Sequence, residues 1–245
     1  MDAWREDTLD GIPIFRPMDA PRPLVVAFSG RGSAPPDEAS PTAFLARRVA
    51  RALGLDGTPL VRATQVHGTR SVAIRNSPAI GETTDAGACD VLATALSGVA
   101  LVVQTADCVP VVLAAPTAIA TAHAGWRGTA ADAAGAAVRA LGQLGAEPGT
   151  VRAWLGPAIG SCCYEVGGEV ASQFAGEFLR PSCRGRSFLD LAAINRAQLE
   201  AAGVAPGSIS AFPGCTRCGG EKFASYRRDG AAAGRMIGLV VRAPG

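Results

Sequence analysis

Cysteine and histidine are the side chains best suited to nucleophilic attack, proton exchange and metal binding, and here they gather in a few short motifs. Cys108 and His123 share residues 104–128 (QTADCVPVVLAAPTAIATAHAGWRG), and the other of the chain's 2 histidines, His67, stands upstream in Gln65-Val66-His67-Gly68. Both histidines sit in glycine-flanked motifs at the ends of apolar runs. Two imidazoles and one thiolate form a ligand set for a zinc that keeps a fourth position open to water or substrate. A water held there ionises near neutral pH and attacks an electrophilic carbon. Cys108 lies 41 positions after His67 and 15 before His123, so no local finger forms and the fold must assemble the trio. The same residues also read as two hydrogen-bonding histidines and a buried thiol.

Other groups stand near this trio in sequence. Asp107, directly before Cys108, reads as a carboxylate that orients a ligand histidine, as a proton acceptor, or as a turn aspartate bonding nearby N–H groups. Arg127, in His123-Ala124-Gly125-Trp126-Arg127-Gly128, precedes a helix, and a helix N-terminus with an arginine suits a phosphate; the plainer alternative is a solvated turn. Residues 156–167 (GPAIGSCCYEVG) form a second glycine-rich turn. Its Glu165 reads as an acid or base, as a grip on a ribose hydroxyl, or as a first-turn partner of a helix dipole. Tyr164 counts with the substrate contacts. Arg227 and Arg228, in residues 223–230 (FASYRRDG), could clamp a phosphate or carboxylate, or form a surface salt-bridge loop. Cys162 with Cys163, and Cys215 with Cys218, invite a second metal site, but one C-C and one C-x-x-C make no recognised zinc spacing, and small buried residues are the commoner fate of free cysteine.

The elements that must position these groups follow from periodicity. Residues 1–23 hold Pro13, Pro17, Pro21 and Pro23 and predict an extended entry. Strands are expected at 24–28, 60–66, 71–74, 99–103, 109–114, 118–122, 152–155, 208–212 and 235–241, several as continuous apolar runs covered on both faces. Helices are expected at 43–53, 129–144, 166–178 and 191–202, the first, second and last stopping at glycine. The first strand runs into residues 29–33 and a loop with Pro35 and Pro36, and residues 76–90 and 214–229 also read as loops. Mixed strands and helices throughout predict one α/β or α+β domain, residues 1–245, layered about a central mixed sheet.

Composition narrows the function classes. With 48% hydrophobic and 18% charged residues the chain is neither disordered nor polar. A net charge of +2 and 5% aromatic residues give no argument for a nucleic-acid or membrane partner. The acidic N-terminus lacks the apolar core of a signal peptide, and 7 cysteines, an odd number, argue against a secreted disulfide framework. A cytoplasmic protein with reduced thiols is expected.

Taken together, QVHG, TADCVPV, AHAGWRG, GPAIGSCCYEVG and SYRRDG followed by GRM resemble the multicopper polyphenol oxidase (laccase-like) family. Its members are also described as bacterial purine nucleoside phosphorylases with adenosine deaminase activity. The motifs occur in family order over about residues 61–241. The resemblance implies a layered α/β domain similar to the cytotoxic-necrotising-factor-type cysteine hydrolase fold, and zinc held by His67, Cys108 and His123. The N-terminal part departs from the family. A glycine-rich segment is contracted to residues 29–33 (SGRGS), Leu45 and Ala46 stand near the place of an Asn-Arg pair, and Ala224 replaces a phenylalanine.

Four functions are compatible with these residues. The first is a zinc-dependent purine nucleoside enzyme. In it Asp107 or Glu165 moves protons during deamination, while Arg127 and Arg227 hold phosphate during phosphorolysis. The second is a metal-free hydrolase with Cys108 as nucleophile and a histidine as base. The third is a pocket that binds without turnover. The fourth is a copper oxidase with Met18 or Met236 as axial ligand, for which the chain holds too few histidines to build a further copper cluster.

Overall fold

Alternating side chains of the apolar runs face two different cores, which makes these runs sheet interiors. The computed structural model describes residues 4–35, 37–182 and 185–244. Residues 1–3 of the expected entry, Pro36 of the expected loop and Cys183 lie outside them. The described chain opens with β1 (Trp4–Leu9), β2 (Ile12–Pro17), β3 (Leu24–Ser29), α1 (Pro41–Ala52), β4 (Leu60–Thr64) and β5 (Ser71–Ile74). Next come β6 (Thr83–Ala88), β7 (Val91–Thr94), β8 (Ala100–Thr105), β9 (Val109–Ala114), β10 (Ile119–Ala124), α2 (Trp126–Ala130) and α3 (Ala133–Gly142). Then follow β11 (Arg152–Leu155), β12 (Glu165–Val166), α4 (Gly168–Ala171), β13 (Leu179–Pro181) and β14 (Ser187–Leu189). Last are α5 (Leu191–Ala201), β15 (Ile209–Ala211), α6 (Tyr226–Asp229) and β16 (Met236–Arg242).

The fold is mixed α/β, with three sheets where one central sheet was expected. A 7-stranded sheet runs β1-β2-β3-β16-β8-β4-β6 and a 6-stranded sheet runs β15-β11-β9-β10-β7-β5, each with parallel and antiparallel pairs. A small antiparallel sheet runs β12-β14-β13. The two large sheets pack face to face through Phe28, Val61, Leu101, Val112 and Trp154. In β9, Val109, Val111 and Leu113 point the other way, into the layer of α3 and α5. In β16, Ile237, Leu239 and Val241 point out toward α1. Period-two alternation between two buried faces explains why these runs are apolar throughout.

Several expectations fail for local reasons. The proline-bearing entry is extended as expected, and it pairs with itself as a β-hairpin because Asp10 and Gly11 both take positive φ (49° and 72°) and make the two-residue turn that suits strand twist. The expected loop 76–90 contains β6, a polar edge strand that pairs in parallel with β4. The expected helix 129–144 is two helices, α2 and α3. Asp132 breaks it with φ 67° and then caps α3 by accepting the N–H of Gly135. The expected helix 166–178 opens instead as β12, which places Glu165 in a strand. The departures at Leu45, Ala46 and Ala224 are core positions, each 1% exposed or less. Among the described residues no helix is long and apolar enough to cross a membrane.

Candidate metal centre and its cavity

Three chain segments bring the trio together at one end of the facing sheets. His67 stands in the link that follows β4, Cys108 in the tight connection between β8 and β9, and His123 within β10. Their ligand atoms all lie within 4.8 Å of one another. That is close to the span of one ion with bonds of about 2.0–2.3 Å. The two imidazole rings meet edge to face, with centroids 4.8 Å apart. A Cβ on Gly125 would stand 2.9 Å from Cys108 Sγ and 3.1 Å from His67 Cδ2, so any larger residue there would press into the trio.

Asp90, which the sequence reading left in a loop, organises this arrangement. Its buried carboxylate accepts the backbone N–H groups of Val66 (3.2 Å), His67 (2.9 Å) and Gly68 (2.7 Å). These bonds hold His67 at φ 63°, a left-handed conformation costly for a residue with a side chain. The same carboxylate lies 2.9 Å from His123 Nδ1, which leaves Nε2 to the trio. A carboxylate behind a ligand imidazole fixes its tautomer and raises its basicity. The available signal was that a buried imidazole needs an acceptor and that Asp90 directly precedes the apolar run of β7.

Without metal the trio is an ion pair of the Cys108 thiolate and a protonated His123, and an ion bound there would displace the His123 proton. Burial pushes the Cys108 thiol up, but hydrogen bonds to His123 and His67 outweigh it and bring its pKa down to about 7. Burial pulls His123 down, while Asp90 and Cys108 raise it to about 9. Burial, against the bonds from His123 and Gly68, would raise Asp90; the bonds win and its carboxyl lies below the ordinary value. Thiolate sulfur and imidazole nitrogen backed by a carboxylate are the donor set of a zinc site with an open position. The residues present fit such an ion.

A cavity of about 480 Å³ opens over the trio, in the size range of small-molecule sites. Arg127, Arg227, Tyr164 and Asp107 line it, as does Arg235, which the sequence reading did not single out. The Arg127 guanidinium lies over the Trp126 ring (4.3 Å) and that of Arg227 over Tyr164 (5.0 Å). Burial, with the Cys108 thiolate second, pushes Tyr164 up to about 12, so it remains a phenol able to donate. Arg235 reaches the wall because its backbone pairs with Gly32 of the contracted glycine segment.

The two carboxylates read as catalytic are placed differently. Asp107, at φ 85°, accepts from Thr216 Oγ1 (2.5 Å), Ser225 Oγ (3.1 Å) and the Arg227 N–H (2.6 Å). It ties down the Arg227 loop, and the role of orienting a histidine belongs to Asp90. Glu165 lies outside the cavity lining. Its carboxylate accepts from Ser182 Oγ (2.5 Å) and faces Arg186 (3.8 Å), while its backbone carbonyl accepts from Arg227 Nη1 (2.8 Å). The four remaining site-motif cysteines, read as small buried residues, are not buried: Cys162 and Cys218 are exposed, Cys163 and Cys215 partly so.

Known proteins are similar to this chain in sequence and in fold. The profile of the family described as multi-copper polyphenol oxidoreductase laccase matches residues 32–243. A protein of Deinococcus radiodurans named purine nucleoside phosphorylase is 37% identical over 251 residues, covering 95% of this chain and 94% of its own. A protein named adenosine deaminase RL5, from an unknown prokaryotic organism, is 37% identical over 207 residues and 79% of each chain. The crystal structure of the hypothetical protein YfiH of Bacillus licheniformis superposes with a TM-score of 0.87 at 28% identity, covering 99% of this chain and 100% of that one.

Proposed function

The chain belongs to the multi-copper polyphenol oxidoreductase laccase family, and from that premise we propose that it is a zinc-dependent purine nucleoside enzyme. It would cleave adenosine- and inosine-type nucleosides with phosphate and deaminate adenosine. The observation that carries this reading is a two-imidazole, one-thiolate trio on the floor of a cavity walled by Arg127, Arg227 and Arg235. The names of the relatives supply the substrate class.

His67, Cys108 and His123 would hold the zinc, which when bound supplies a Lewis acid and lowers the pKa of water toward neutrality. Asp90 keeps His123 in the tautomer that presents Nε2. Arg127 and Arg227 hold the phosphate dianion, and stacking on Trp126 and Tyr164 fixes their planes. In phosphorolysis a phosphate oxygen bonds to the sugar C1′ as the C1′–N bond breaks, and the purine leaves with its electron pair and gains a proton. In deamination water adds at C6 and ammonia leaves. Tyr164, a phenol at neutral pH, donates to an oxygen of phosphate or sugar. Asp107 and Glu165 serve by position, the first through the Arg227 N–H and the second through its carbonyl on Arg227 Nη1.

A second reading has its own support. A Cys108 thiolate near neutrality between two histidines is also the machinery of a metal-free cysteine hydrolase. The test is to assay zinc-loaded and chelated protein with adenosine and inosine, with and without phosphate, and to resolve the products by chromatography. Phosphate-dependent release of free base and conversion of adenosine to inosine, both lost on chelation and restored by zinc, are expected. Zinc-loaded protein that turns over neither nucleoside would overturn the reading.

A further inference from the structure

Outside the cavity, two turns far apart in sequence bring four thiols to one point. Cys162 and Cys163 lie in the turn after β11, and Cys215 and Cys218 open the segment after β15. Their sulfurs all lie within 4.8 Å of one another. Cys218 Sγ stands 3.6 Å from Cys162 Sγ and 3.3 Å from Cys163 Sγ, and all four cysteines are free. A tetrahedral zinc with Zn–S bonds of about 2.3 Å sets its sulfurs about 3.8 Å apart. Four free thiols within 4.8 Å of one another, with two pairs at 3.6 and 3.3 Å, approach the spacing of a tetrathiolate cage.

Backbone donors face one of the four sulfurs. The N–H groups of Gly160, Cys218 and Arg217 hydrogen-bond the Cys215 sulfur. Donors of this kind stabilise negative charge on sulfur. The turn 215–219 is closed by the Gly219 N–H on the Cys215 carbonyl (2.9 Å). The two turns are joined by a parallel bridge between Ala158 and Cys215 and by the Thr216 N–H on the Ala158 carbonyl (3.0 Å). Gly160 permits the approach, since a Cβ there would lie 3.2 Å from Cys215 Cβ and 3.4 Å from Cys162 Sγ. Spacing alone could not show this site, because its two halves are one C-C and one C-x-x-C separated by more than 50 residues.

We infer that Cys162, Cys163, Cys215 and Cys218 bind a second, structural metal ion, a closed tetrathiolate zinc distinct from the open trio. Closed sites of four thiolates contribute folding energy and leave no position for substrate. This one clamps the 160–164 turn to the 215–219 turn. Thr216, inside the clamp, donates to Asp107 beside Cys108, so the ion fixes the wall that carries Tyr164 and Arg227.

The test is elemental mass spectrometry on protein purified anaerobically, comparing wild type, Cys108→Ala and Cys218→Ser. Cys218 is exposed, so its serine variant opens no core cavity. Loss of about one zinc equivalent in Cys218→Ser relative to wild type is expected, and it is read independently of the trio and of any nucleoside activity. Equal zinc in Cys218→Ser and wild type would overturn the inference. A disulfide among the four in anaerobic wild-type protein would overturn it too. Should Cys218→Ser fail to fold, cobalt-loaded Cys108→Ala decides. Intense sulfur-to-cobalt charge transfer with tetrahedral d–d bands is expected from the tetrathiolate that remains, and absence of these bands overturns the site.

Discussion

Asp90→Asn tests whether one buried carboxylate holds both the shape and the charge of the trio. Wild-type Oδ2 accepts from Val66 and Gly68, and Oδ1 accepts from His67 and faces His123 Nδ1. An amide in place of Oδ2 turns its NH₂ toward two N–H donors; in place of Oδ1 it meets the His67 N–H and the imidazole. Either orientation leaves donors facing donors in a site whose carboxylate side chain is 0% exposed. Each lost charge-assisted bond costs about 1.5–3 kcal/mol. Because the loop can relax, we expect the metal-free protein to lose about 2–4 kcal/mol of unfolding free energy. Losing the carboxylate behind a ligand histidine weakens metal affinity by about 10- to 100-fold, or about 1.4–2.8 kcal/mol. The assay is zinc competition against a chromophoric chelator, with denaturant unfolding of the metal-free proteins alongside. A variant that folds as stably as wild type and binds zinc within about twofold of it would refute the role of Asp90.

Three further outcomes are expected. Arg227→Ala should raise the KM for phosphate about tenfold through loss of a charge-assisted contact, and an unchanged KM in steady-state kinetics would remove Arg227 from the anion site. In chelated protein the Cys108 thiolate predominates above pH about 7 and is lost as pH falls below it, so iodoacetamide labelling read by peptide mass spectrometry should rise with a midpoint there. Cys89, pushed up to about 11 chiefly by burial, should stay unlabelled at that pH, and a Cys108 midpoint near the ordinary 9.0 would overturn the account of its environment. Asp107→Asn should lower the thermal midpoint, by about 3 kcal/mol of lost stability, and leave the pH–rate profile in place; disappearance of one limb of that profile would make Asp107 a proton-transfer group.

What the sequence made legible follows from how local each signal is. Continuous apolar runs such as Val109–Ala114 fix strands within their own few residues, and the trio announced itself because the chain's 2 histidines both stand in glycine-flanked motifs. Asp90 stayed hidden because its importance is entirely tertiary: its partners His67 and His123 lie 23 and 33 positions away. Glu165 misled for a related reason. A glutamate before glycines and apolar residues reads as a helix start, but pairing of Val166 with Ser187 supplied strand bonds that local propensity cannot anticipate. Asp132 divided a helix that its alanines favour, since one left-handed residue at a cap outweighs a run of good formers on either side. The four-thiol cluster combines both difficulties, with halves too short to signal and a separation only the fold closes.

The ligand inventory also supports the proposed nucleoside activity over the copper oxidation in the family's name. A multicopper oxidase needs imidazole for several copper ions, and both histidines of this chain are already engaged in one trio. A single blue-copper centre would want a methionine near that trio. Met18 is 64% exposed, Met236 is buried in the core between the sheets, and neither lines the cavity. Among the described residues the other group able to hold a metal is all sulfur, a donor set that selects zinc or cuprous ions and offers no oxygen or nitrogen to a second redox copper. The cavity wall, by contrast, presents Arg127, Arg227 and Arg235. Three cations about one small cavity match an oxyanion substrate, and a neutral phenol has no use for them.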